Sequence, residues 1–141
     1  MEYRFWLPGE PVAQARARTG KGHAYYPAKS ANYRTWAVLQ LRKQFAGQPK
    51  SKGPYPSILG PVKLYLQFFR VRPKSNKSAW PIVRPDLDNY VKMVCDALMD
   101  AGVLADDSQV CGLDAGKFWA EANSDKLDAY EPGVEIVVVT L

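Results

Sequence analysis

The sequence predicts an α/β fold, a two-layer sandwich with a mixed four-stranded sheet and two helices on one face, in the order βαβαββ. Three observations carry this. Four segments alternate apolar and polar residues or run rich in β-branched ones; two carry apolar residues at helical spacing; and the two kinds interleave. At 141 residues the chain suits one domain, 1–141, around a single core.

Residues 2–7, "EYRFWL", place Tyr3, Phe5 and Leu7 on one side of a short strand that Pro8-Gly9 ends. The stretch 9–29, including "QARARTGKGHAYYPAK", reads as an irregular basic loop. Ser30 is the expected N-cap of a helix over 31–46, with Trp36, Leu39, Leu41 and Phe45 among its apolar positions. The Gly/Pro/Ser/Lys-rich 46–61 is a loop. "VKLYLQFFRV", 62–71, is a strand with Val62, Leu64, Leu66 and Phe68 on one side. Another basic loop, 72–85, leads into a helix from about Leu87 to Ala101, stopped by Gly102. Strands at about 109–119 and at "VEIVVVTL" close the chain.

Composition excludes several classes. With 47% hydrophobic and 23% charged residues, the chain is neither disordered nor membrane-spanning, and no apolar run approaches bilayer length. The start, "MEYRFWLPGEP", lacks a secretory pattern, so the expected compartment is the cytoplasm. Cys95 and Cys111 have no Cys or His at zinc spacing and read as buried free thiols. The single histidine, His23, lies in a Gly/Lys-rich loop, which disfavours histidine-based catalysis.

The net charge of +5 conceals a division. Residues 1–80 hold 15 Lys/Arg against two acids, and residues 81–141 hold four against 12. A basic part implies a polyanionic partner. The acidic part beside it would repel that partner unless divalent cations neutralise the carboxylates.

The acids fall in two clusters. "RPDLDNYVK", 84–92, puts Asp86 and Asp88 at the first turn of a helix, with Lys92 four residues on. With Leu87, Val91, Val94, Cys95 and Leu98 as the core face, Asp88 borders the sheet and is not directed to open solvent. The alternative is that both acids complement the helix dipole, with Lys92 as an i,i+4 partner. "LADDSQV", 104–110, puts Asp106 and Asp107 between this helix and the next strand. The helix spans roughly 22 Å at 1.5 Å per residue, so spacing alone does not unite the clusters in one subunit. They meet only across a dimer interface or in a different packing. Lys117 shares its strand face with Cys111, Leu113, Ala115 and Trp119; it either snorkels to the sheet edge or is aimed at an anion.

"RPDLDNYVKMVCDALMDAGVLADDSQV", 84–110, resembles the signature of the RusA family of Holliday junction resolvases of bacteria and their phages. The shared features are an Asp-x-Asp-Asn helix start, a lysine four residues after the second Asp, a "DAL…AG" helix and an Asp-Asp-x-Gln-Val strand entry. A lysine eight residues beyond the Gln, Lys117, follows. Upstream, "QARARTGKGHAYYPAKSANYR", 14–34, is similar to the family's basic Arg-x-Arg segment. The resemblance implies a Mg²⁺-dependent endonuclease on branched DNA, acting as a homodimer in DNA recombination and repair, with no small-molecule cofactor. It implies that Asp86, Asp88 and Asp107 are the essential metal-site carboxylates and Lys92 the essential lysine, with Asp106, Asn89 and Lys117 as further candidates. A phage or prophage origin would follow. The Lys/Pro-rich loops 46–61 and 72–85 depart from the smaller bacterial members and bear on which junctions are preferred.

On this reading DNA affinity comes from loop cations: Arg16, Arg18, Lys21, Lys29, Lys74, Lys77 and Arg84. Tyr25, Tyr26 and Trp80 lie among them, either stacking on exposed bases or anchoring the loops. Two competitors share the composition. One is a restriction-type metal nuclease on linear duplex, echoed loosely by "DAGK", 114–117; the other is a DNA-binding protein whose acids are structural.

Overall fold

The computed structural model describes residues 1–15, 18–20, 22–25, 27–48, 57–121 and 131–141, with side chains at all of these except 18, 19 and 23–25. The elements in order are β1 (Glu2–Pro8), β2 (Arg18–Gly20), β3 (His23–Tyr25), α1 (Ala28–Ala46), β4 (Val62–Arg70), α2 (Leu87–Asp100), a 3₁₀ turn (Asp107–Gln109), β5 (Val110–Trp119) and β6 (Gly133–Thr140). The main sheet has the order β1-β6-β4-β5, antiparallel except for the parallel β4–β5 pair. It is therefore the expected mixed four-stranded sheet, with α2 as the crossover between its two parallel strands.

Both helices cover one face. Tyr3, Phe5 and Leu7 of β1, Leu64, Leu66 and Phe68 of β4, and Ile136 and Val138 of β6 meet Leu41 and Phe45 of α1 and Val94 and Leu98 of α2 in one core. Period-two alternation supplies the strand side, and residues three and four apart supply the helix side. Across the sheet, Trp6, Phe69, Phe118 and Trp80 form a chain of ring contacts with centroids 5.6–6.3 Å apart. The Trp6 ring lies over Gly133, where a Cβ would fall 2.3 Å from its carbons, so this β6 position has no room for a side chain.

Five details differ from the sequence-based expectation. The stretch 9–29 contains a small hairpin, β2–β3, with Gly22 at φ +80° between its strands; glycine takes that left-handed backbone without penalty. Helix α1 begins at Ala28 after Pro27, whose ring presets the backbone, and Ser30 is no cap. Buried Ser30 instead accepts a hydrogen bond from the Ala15 N–H through Oγ at 3.2 Å, tying the preceding loop to the helix. Leu39 is exposed. Cys111 is also exposed and Cys95 only half-buried, because β5 is an edge strand that α2 covers incompletely; both thiols are free.

The fifth detail concerns α2. Its buried residues are Tyr90, Met93, Val94, Ala97 and Leu98, with Leu87, Val91 and Cys95 on the flank. The core face is thus rotated by roughly 75° from the expected one, at 100° per residue. Tyr90 stacks on Phe68 with centroids 5.0 Å apart, and the helix must also meet α1, which widens its apolar stripe. Asp88 consequently faces solvent and does not border the sheet.

At the far end of α2, Gly102 adopts φ +74° and lets the Val103 N–H return to the Leu98 carbonyl at 3.0 Å. No helix among the described residues is long and apolar enough to cross a membrane.

Candidate active site

The first acid cluster sits where β4 hands over to α2. Asp86 occupies the N-cap position with extended backbone, yet its carboxylate makes no capping hydrogen bond. Asp88, in the first helical turn, accepts from the Asn89 N–H at 3.0 Å. Both are exposed. The helix dipole favours negative charge here, but it does not need two carboxylates to satisfy it.

Beside this pair opens a cleft of about 830 Å³, lined by Lys29, Arg70, Arg84, Asp86 and Asn89, among others. Arg70 is pinned: it pairs with Glu10 at 3.4 Å and donates to the Arg84 carbonyl at 3.0 Å. Glu10 also accepts from the Val71 N–H at 2.8 Å, so the cleft wall is cross-braced. Lys29 and Arg84 are exposed at its rim. Lys117 reaches the same end of the sheet from β5, donating through Nζ to the carbonyls of Val83 and Pro85 at 3.0 and 3.1 Å. Partial burial, reinforced by Arg70, lowers the pKa of its ammonium, and Asp86 opposes that shift. Of the two readings for Lys117, the structure gives a third: it is clamped onto the backbone that presents Asp86.

Deeper in the cleft, burial raises the Tyr90 phenol to about 12, so it stays protonated at neutral pH.

The second cluster lies on the outer flank of α2. Asp106 caps the 3₁₀ turn by accepting from the Ser108 N–H at 3.0 Å, and that bond holds its carboxyl below the usual range. Asp107 shares a side-chain hydrogen bond with Asp106, which raises the Asp107 carboxyl instead. The two carboxyls are thus shifted in opposite directions by the same contact. The Asp107 N–H contacts Met99 Sδ at 3.1 Å, and the acid feels the charges of Asp96 and Lys92. Lys92 pairs with Asp96 at 3.6 Å, one turn towards the C-terminus, rather than with Asp88. Arg34 of α1 reaches the same Asp96 at 3.6 Å.

The expected site residues thus form two groups. Asp86, Asp88, Asn89, Lys117, Arg84 and Lys29 gather at the start of α2; Asp106, Asp107 and Lys92 gather farther along it. Among the described residues no three His, Cys, Asp or Glu side chains converge as a metal site. Lys74 and Lys77 are exposed on the segment after β4, and Arg18 lies on β2. Arg16, Lys21 and Tyr26 lie outside the described residues. Asp114 and Lys117, three apart on β5, fall on opposite faces of the strand, so "DAGK" is not a shared site.

A family model described as Endodeoxyribonuclease RusA matches residues 8–138. The chain belongs to the RusA endodeoxyribonuclease family. It is an endodeoxyribonuclease. It is 35% identical over 151 aligned residues to Uncharacterized protein YqaN of Bacillus subtilis (strain 168), covering 96% of this chain and 94% of that protein. It is also 35% identical over 72 residues to Crossover junction endodeoxyribonuclease rusA of Lactococcus phage r1t, covering 50% of this chain and 55% of that one.

Motif reading missed three side chains that the fold puts to use. Arg70 and Glu10 come from separate segments and meet only in the fold. Gln109 belongs to the quoted Asp-Asp-x-Gln-Val entry, but its role is visible only here. Its side chain accepts from the Ala105 and Asp106 N–H groups at 2.8 and 3.0 Å and donates to the Ile58 and Gly60 carbonyls, both at 2.9 Å.

Proposed function

We propose that the protein is a Mg²⁺-dependent nuclease that resolves Holliday junctions and related branched DNA by paired phosphodiester cleavage, as a homodimer, in DNA recombination and repair. The observation that carries this is the exposed, non-capping acid pair Asp86/Asp88 beside a cleft lined by Lys29, Arg70 and Arg84. Anionic backbone is drawn in by the cations, and the acids demand a cation of their own. The phage relative named a crossover junction endodeoxyribonuclease supports the substrate class.

The donor set suits Mg²⁺, which takes hard oxygens, uses one or two carboxylates and keeps several waters. Asp106 and Asp107 are neighbours whose carboxyls interact directly, a pair able to bind one small cation jointly. Asp86, Asp88 and Asp107 would hold the ion, with Asp106 assisting. When bound, it supplies charge neutralisation at the scissile phosphate and acidifies an attacking water.

The chain's own groups do the remainder. Lys29 and Arg84 hold the flanking phosphates, and Lys117 fixes the backbone of Val83 and Pro85 so that Asp86 is presented in one place. Lys92, exposed on α2 and paired with Asp96, offers a cation for charge developing on the phosphoryl oxygens. The two acid pairs sit at different levels of α2, which supports a reading in which a second copy supplies the second pair of each site. A twofold dimer then meets the near-twofold symmetry of a four-way junction with two sites.

The test is Asp88→Asn on a synthetic four-way junction. The expected result is loss of Mg²⁺-dependent nicking with binding retained in a gel shift. Full cleavage by that variant would overturn the assignment. Binding without cleavage by the wild-type protein would favour a non-catalytic role.

A further inference from the structure

We propose that the tip formed by Trp80 and Ile82, in the segment between β4 and α2, is an apolar wedge that enters the base stack at the branch point of DNA; this rests on branched DNA being the substrate.

Large apolar side chains are seldom left in water on a braced loop without a partner. Ile82 is 81% exposed and Trp80 59%, with Val83 beside them also exposed. The tip is preorganised. The Ile82 N–H closes onto the Trp80 carbonyl at 2.8 Å, and the inner side of the Trp80 ring rests on Phe118 with centroids 5.6 Å apart. Lys117 grips the carbonyls of Val83 and Pro85 on one side. On the other, the Ser78 carbonyl accepts from Arg72 at 2.8 Å and from the Trp119 indole N–H at 2.9 Å. A held tip loses little entropy when it inserts.

Charge identifies the occupant. Between Val71 and Pro85 there are four Lys/Arg and no acid, and Lys74, Lys77 and Arg84 are exposed around the tip. A second copy presenting the same cations would be repelled, whereas phosphates would be attracted. Apolar side chains inserted between base steps, with cations on the adjoining phosphates, are a known way to unstack DNA. A branch point offers steps that are already weakened. Ile82 precedes Asp86 by four residues, at most about 14 Å of chain. The opened step therefore lies within about four nucleotides of the bond to be cut, at 3.4 Å per nucleotide along a strand.

The experiment uses full-length protein and a four-way junction carrying 2-aminopurine next to the crossover, without Mg²⁺. Wild-type protein is expected to raise the fluorescence on binding. Ile82→Ala and Ile82→Lys, changes at a solvent-facing position, should cut that rise at least about fivefold, in keeping with the strength of stacking contacts. Neither should weaken binding to linear duplex. Equal fluorescence in all three proteins, or none with wild type, would overturn the proposal. So would a change in oligomeric state of the DNA-free Ile82 variants in sedimentation equilibrium, because the tip would then cover a second copy. Cleavage by wild type in parallel reactions with Mg²⁺ keeps the two readings apart. Nicking with no fluorescence response rejects the wedge alone, and a response with no nicking rejects the nuclease alone.

Discussion

Asp86 and Asp88 flank the start of α2 with no cap to make, whereas Asp106 is committed as the cap of the turn that carries Asp107. The first pair keeps most of its lone pairs open to solvent beside a basic cleft. The second is built into its turn: Ser108 and Gln109 fix Asp106, and Asp107 leans on it. Two acid pairs on one helix flank thus differ in how much of their chemistry the backbone already uses. A carboxylate that is redundant for folding is available for a ligand. One that holds a turn serves both purposes, and mutating it confounds them.

The sharpest test of this contrast mixes two inactive chains. Asp88→Asn and Asp107→Asn should each lower cleavage by more than about 100-fold, since even the residues that merely support metal ligands cost 10–100-fold. If each site draws one pair from each copy, mixed dimers of the two variants contain one intact site and recover nicking of a single strand. A mixture as inactive as its components would place both pairs in one chain's site.

Next in size is Gln109→Ala. It removes four hydrogen bonds, two accepted from the Ala105 and Asp106 N–H groups and two donated to the carbonyls of Ile58 and Gly60. At about 0.5–1.5 kcal/mol each, with partial rescue by water, the expected loss is about 2–3 kcal/mol in urea unfolding. A loss no greater than that of an ordinary surface substitution would show that the clamp is dispensable.

A smaller effect separates the acids themselves. Asp106→Ala should lower the urea midpoint because it removes a cap, while Asp86→Ala should lower it less, because no cap is made and only the favourable position at the helix dipole is lost. Equal shifts would erase the distinction.

The smallest effect is read at a thiol. Burial foremost, with Asp96 and Asp107 nearby, raises Cys95 to about 11. Thiolate is the reactive form, so at pH 8 Cys95 stays protonated and exposed Cys111 should be alkylated first. As pH rises towards 11, Cys95 ionises and catches up. Asp107→Asn removes one of the charges opposing that ionisation and should modestly speed alkylation at Cys95, measured by mass spectrometry.

Much of the frame was legible before any coordinates. Alternation at 2–7 and 62–71 and the β-branched run near the C-terminus found their strands, because half-buried strands must show that period. The start of α1 was not, since Ser30 has the chemistry of a cap and only the approach of Ala15 reveals another use for it. The orientation of α2 was misjudged because Tyr90, Met93 and Ala97 look less apolar than Val91 or Leu87, yet packing against α1 and Phe68 selects them. The acid pairs were readable through their spacing and their family resemblance. The brace of Arg70 and Glu10 was not, because its partners are sixty residues apart and meet only through tertiary structure.

The parallel pairing of β4 with β5 has a further consequence. A strand, a helix and a strand running the same way leave the segment after β4 on one rim of the sheet and the Gln109 clamp on the other. The rim after β4 can be lengthened, recharged or re-tipped over evolutionary time without disturbing the opposite rim, where the Gln109 clamp and the turn that carries Asp106 and Asp107 are built together. Substrate preference in such a protein can drift without endangering its ability to fold.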